Sequence, residues 1–117
     1  MDQKWKIVYY ETEQGTSPVF DFIGALELKA RTKVANALDL LKEYGTKIGL
    51  PHAKKLSGSR LWELRILGSD SIRIFYVVIV DRNFLLLHGF QKKKQKTDKK
   101  EVKIAVERLK EYKSRSH

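Results

Sequence analysis

Three strand-like segments follow one another with almost nothing between them, and no other feature limits the fold as strongly. They are LWELRIL (Leu61–Leu67), SIRIFYVVIV (Ser71–Val80) and NFLLLHGFQ (Asn83–Gln91). The links are GSD and DR, too short for anything but hairpins, so the second half of the chain is expected to be an antiparallel meander. The middle segment is apolar on both of its alternating faces, which makes it the central strand. An earlier segment, KWKIVYYET (Lys4–Thr12), is rich in β-branched and aromatic residues and reads as a first strand.

Between that first strand and the meander the spacing turns helical. Ser17 followed by Pro18 suits an N-cap and a first helical residue. Val19, Phe22, Ile23 and Leu26, then Val34, Leu38 and Leu41, recur at helical intervals, and Gly45 is a stop signal. The stretch is too long for one helix in a small domain, so two helices are expected, with a bend near Glu27 to Thr32. A last helix is expected from Thr97 to about Arg115, carrying Val102, Ala105, Val106, Leu109 and Tyr112 on one stripe. Thr97 or Asp98 could cap it, and Asp98 with Glu101 fits a capping box. The resulting order is β-α-α-β-β-β-α: class α+β, a small antiparallel sheet with helices packed on it, in one domain over residues 1–117.

Composition narrows the chemistry. With no cysteine among the 117 residues, disulfides and thiolate metal sites are excluded, which suits the cytoplasm. No segment has the length and apolarity to span a bilayer, and the N-terminus lacks a signal-peptide core, so a soluble cytoplasmic protein without membrane contact is expected. The net charge is +10 and unevenly placed. From Gln91 to His117 eleven basic residues face four acidic ones, a net of +7; the first ninety residues hold thirteen against ten, a net of +3. Such a bias suits a polyanionic partner, although a lysine-rich helix can also be no more than a solvated face.

Sorting the strands by face gives the candidate site. Glu63 and Arg65 share a face of the first meander strand, and Arg73 and Phe75 share one of the second. His88 and Phe90 share one of the third. If the hairpins align, these six gather on one side of the sheet, with Lys92, Lys93, Lys94 and Lys96 at its edge. Arginine on a largely buried strand is paired or meant for a ligand. Each residue also has a plain structural reading: Glu63 with Arg65 or Arg73 as an ion pair, His88 as a hydrogen-bonded core residue. Cleavage of RNA by its own 2′-hydroxyl would use such a set. Arginine and lysine would stabilise charge on the phosphoryl oxygens, Glu63 or His88 would transfer protons, and Phe90 would stack on a base. Three scattered histidines (His52, His88, His117) are no ligand set, so neither metal nor cofactor is expected.

The segments KKLSGSRLWELRI, SIRIFYVV and LLLHGFQKKKQKT resemble the RelE/HigB toxins of bacterial type II toxin–antitoxin systems, most of all the phage-derived, Gp49-like HigB branch. One departure is Asp98, where relatives often have proline after the KT. The resemblance implies a microbial-ribonuclease-like fold and an mRNA endoribonuclease acting at the translating ribosome and inhibiting growth, silenced by a cognate antitoxin of helix-turn-helix type. It implies that Arg65 and Arg73 clamp phosphate and that Lys93 shares charge stabilisation or acts as acid. His88 and Glu63 are weaker catalytic candidates. Lys54 and Lys55 would hold the RNA backbone. A competing reading is a basic nucleic-acid-binding module or transcriptional co-regulator without catalysis. A third is a cationic groove that exists to receive an acidic protein segment.

Overall fold

A computed structural model describes residues 4–68, 71–93 and 99–115. Strand β1 (Lys6–Tyr9) is followed by helices α1 (Pro18–Gly24) and α2 (Leu28–Tyr44) and a short 3-10 turn at Gly45–Lys47. Strands β2 (Ala53–Lys55), β3 (Trp62–Arg65), β4 (Ile72–Ile79) and β5 (Asn83–Gln91) come next, and helix α3 (Lys99–Arg115) closes the chain. The class and the order of the expected elements hold, with one addition: β2, a three-residue edge strand too short and too lysine-rich to show as a strand.

The helices begin and end where local chemistry dictates. Pro18 opens α1, its fixed φ and missing N–H costing nothing at that position. Ser17 is the N-cap by position only, because its buried hydroxyl has no hydrogen-bond partner among the described residues. The break between α1 and α2 falls at residues 25–27, slightly before the expected bend. Gly45 ends α2 with φ +58, and a β-carbon there would strike the Trp5 indole, so glycine is needed for both conformation and space. The expected capping residues of the last helix, Thr97 and Asp98, lie outside the described residues.

The five strands form one sheet in the order β1-β5-β4-β3-β2. Pairing is antiparallel throughout the meander, as its short links require, while β1 runs parallel to β5 at the far edge, so the sheet is mixed. In the β4–β5 register Phe75 faces His88 but Tyr76 faces Leu86, so Leu87 is an extra residue, a β-bulge. Strict alternation would put Leu87 and His88 on opposite faces; the bulge puts both on one.

Each face has its own core. On one side Leu64, Ile66, Ile72, Ile74, Tyr76, Phe84 and Leu86 pack under α1 and α2, which supply Val19, Val34, Leu38 and Leu41. Gly89 faces this side as well, and its missing side chain makes room for the Phe22 ring. On the other side Leu61, Phe75, Val77, Leu85, Leu87 and Phe90 pack under α3, through Ala105 and Leu109 with Val102, Val106 and Tyr112 around them. The stripe read for the last helix is its buried face. Among the described residues no helix is long and apolar enough to cross a membrane.

Candidate functional site

The register aligns the candidates in two rows on the α3 side. Lys54, Glu63, Phe75 and His88 are cross-strand neighbours from β2 to β5, and Arg65, Arg73 and Phe90 form the next row. The expected gathering of Glu63, Arg65, Arg73, Phe75, His88 and Phe90 therefore occurs, and the bulge at Leu87 is what brings the last two onto this face.

Glu63 is the centre of the charged group. It is 1% exposed, the one buried charged residue among those described. Its Oε1 accepts a hydrogen bond from Arg65 Nε at 3.2 Å and has Arg73 Nε at 3.8 Å, close enough for ion pairing but too far for a hydrogen bond. Arg73 Nη1 donates to the Ile72 carbonyl at 3.0 Å. Within this group two atoms stay buried without a hydrogen-bond partner among the described residues: Glu63 Oε2 and Arg73 Nε. Burial lowers the Arg73 pKa, Glu63 opposes that shift, and the like charge of Arg65 adds to it; the guanidinium remains protonated. Two cations on one carboxylate leave an excess positive charge at the sheet surface, where the arginine side chains are 28% and 17% exposed. An anion is the ligand such a group is built to accept.

His88 is occupied differently. Its Nε2 lies 3.1 Å from Glu101 Oε1 and its Nδ1 lies 3.3 Å from Arg108 Nη1, both residues of α3. A carboxylate accepts and a guanidinium donates, so the network assigns a neutral ring with its proton on Nε2. Burial pulls the His88 pKa below 6.5, Glu101 pushes it back up, and Arg108 lowers it further. The Arg108 Nη1 atom also donates to the carbonyl of Leu87, the bulged residue that has no partner in the β4 register. Helix α3 thus completes the bulge and holds the histidine in place.

One expectation needs correcting, and the lysines take up different positions. Phe90 is 6% exposed, wedged edge-on against Phe75 and stacked on His88, so it is a core residue here and offers no open face to a base. Lys54 shares the face of Glu63, whereas Lys55 pairs with Trp62 on the opposite face and donates to the Ser59 carbonyl. Both lysines are exposed. Lys92 is half-buried and its N–H continues the sheet to the Ser71 carbonyl at 2.8 Å; Lys93 is exposed just past the end of β5. Lys94 and Lys96 lie outside the described residues.

Sequence reasoning missed Glu101 and Arg108 as partners of His88. They are seven residues apart, two helical turns, and flank the apolar stripe; that spacing was the available signal. Further along α3, Tyr10 donates to Glu111 at 2.6 Å and Arg115 donates to the same carboxylate, fastening the end of the helix to the segment after β1. Among the described residues no three His, Asp or Glu side chains converge as metal ligands.

The family model described as phage-derived protein Gp49-like matches residues 21–110, more than three-quarters of the chain, and that family is associated with the toxins of toxin–antitoxin systems. The matched span contains the whole Glu63 group, the bulge, and both α3 residues that hold His88. A comparison with curated proteins found no significant match.

Proposed function

The chain belongs to the phage-derived Gp49-like family, and on that premise we propose that it is the toxin of a type II toxin–antitoxin pair, of RelE/HigB type, acting as an endoribonuclease on mRNA at the ribosome. The observation that carries this reading is the buried carboxylate shared by two arginines on a basic sheet face. Arg65 and Arg73 hold the non-bridging oxygens of a phosphodiester, with their Nε edges turned toward Glu63. The 2′-hydroxyl gives its proton to solvent water as it attacks phosphorus and the P–O5′ bond breaks, leaving a 2′,3′-cyclic phosphate and, once the leaving oxygen is protonated, a 5′-hydroxyl. Charge that builds on the phosphoryl oxygens falls on preorganised cations, which is where most of the acceleration arises. Lys93, exposed beside this face, supplies further positive charge and a proton for the leaving oxygen. Glu63 acts as a positioning residue and not as a base, because one oxygen is engaged by the two arginines and the whole carboxylate is buried. His88, with both nitrogens bonded to α3, serves the architecture in this conformation. Lys54 and Lys92 steer the RNA backbone. The partner in the cell is a cognate antitoxin of helix-turn-helix type, and the site of action is the cytoplasm.

Purified protein incubated with mRNA, with and without translating ribosomes, should generate new 5′ ends. Arg73→Ala should lower cleavage by ~10²–10³-fold, the usual cost of one transition-state donor. Folded Arg73→Ala and Lys93→Ala proteins that cleave at the wild-type rate would refute the site.

A second reading has its own observation. The exposed side of α3 carries Lys99, Lys103, Lys110 and Lys113 within one stripe, as a non-catalytic RNA- or DNA-binding module would. In that case RNA stays intact, and log K falls with log salt by ~0.7–0.9 per phosphate neutralised.

A further inference from the structure

We propose that the cleft between α2 and the β2–β3 edge is a subsite for a single nucleobase of the RNA, adjoining the phosphate-binding arginines. The inference rests on the RNA-cleaving reading of the neighbouring face. The cleft encloses about 200 Å³, below the roughly 300–1,000 Å³ of a pocket for a whole small molecule, so it suits a fragment rather than a complete cofactor.

Its floor is aliphatic: Ala37 and Leu40 from α2, and Leu67, whose side chain is 50% exposed just beyond β3. A phosphate gains nothing from such a floor, whereas the flat face of a base does. The rim is polar. Asn36 presents an amide that both donates and accepts, the combination that reads a base edge. His52 offers a ring on which a base can stack. Lys33 reaches over to Gly68, where φ is +131 and a β-carbon would collide with Lys33 Nζ. The φ of +131 favours glycine at the turn, and the flexible end of Lys33 rests against it at the cleft.

Arg65 makes the link to the phosphate clamp. Its Nε is fixed to Glu63 on the α3 side of the sheet, and Arg65 is also among the residues that line this cleft. β2 begins at Ala53, and beside Arg65 the edge is continued by the His52 carbonyl alone, which accepts from Arg65 N at 2.8 Å, so the sheet ends here. Arg65 and Asn36 line the same cleft, so the proposal places the base of the nucleotide held by Arg65 against Asn36.

The test uses the full chain and its Asn36→Ala variant, an exposed position where truncation leaves the core intact. In 5′-end mapping, wild type should favour one base at a fixed position beside the cut. The variant should lose that preference by roughly 5- to 150-fold, the worth of one good base contact, while its cutting of disfavoured sequences changes little. In parallel, the Asn36 side-chain amide signal should shift with nucleoside monophosphates and stay in place with inorganic phosphate. An unchanged base preference, an equal loss on all sequences, or an amide that responds equally to phosphate would overturn the subsite. A nucleotide-specific amide shift in a protein that cuts no RNA would support the cleft and refute the nuclease.

Discussion

The two faces of the sheet are covered by helices in different ways. Under α1 and α2 the contact is wholly apolar, from Val19 and Val34 to Leu41 against Ile72, Ile74 and Phe84. Under α3 an apolar patch of similar make-up shares its face with Glu63, Arg73 and His88, and α3 is fastened by polar contacts from Glu101 and Arg108 as well as by Ala105 and Leu109. The first arrangement holds the domain together by apolar burial. The second retains a buried carboxylate whose second oxygen is unsatisfied, a cost that apolar residues of similar size would avoid. Departures from the rule that buried polar groups are satisfied concentrate where a fold does chemistry, and here they concentrate on one face.

Four measurements can break or sharpen that contrast. The largest effect belongs to the apolar face: Leu41→Ala, at a fully buried position, should cost about 2–5 kcal/mol in urea unfolding. Leu109→Ala on α3 should fall at or below the low end of that range, and an equal loss would mean the two helical layers are not different. Next, Glu63→Ala should lower stability by about 1–3 kcal/mol, because it strips a buried acceptor from the two arginines; no change would show that the carboxylate is not what holds them. Arg108→Ala should cost about 1 kcal/mol and speed amide exchange in α3 more than in α2.

The smallest effect is a pH dependence. Folded His88 has its pKa held below 6.5, chiefly by burial, so below about pH 6.5 the unfolded chain binds more protons than the folded one. Stability should be level above that pH and decline as the pH falls through it. His88→Gln should flatten the curve, and a slope that survives the substitution would place the titrating group elsewhere.

Much of this was legible in the chain. Alternation put Glu63, Arg65, Arg73 and Phe75 on one face because β3 and β4 keep the two-residue period. The helical spacing of Val102, Ala105, Val106, Leu109 and Tyr112 marked the buried stripe of α3 correctly. What eluded the reading were the places where period or locality fails. The bulge at Leu87 breaks alternation, and Phe90, though on the expected face, is covered there by Phe75, His88 and the α3-side core, a tertiary packing that its own strand does not announce. Strand β2 exists because β3 offers it an edge, and nothing in its own residues favours a strand. The partnership of Glu101 and Arg108 with His88 spans 13 and 20 positions, beyond what any local pattern encodes.

The parallel pairing of β1 with β5 has a consequence for the order of assembly. Lys6–Tyr9 lie beside Asn83–Leu86, so β1 has no strand partner until that later segment has been made. Helices α1 and α2 and the β3–β4 hairpin close over short loops, and the outer edge must wait. A nascent chain halted before residue 83 would hold β1 unpaired. Protease accessibility of chains arrested on either side of that point should show Tyr9 and Tyr10 becoming protected only in the longer ones.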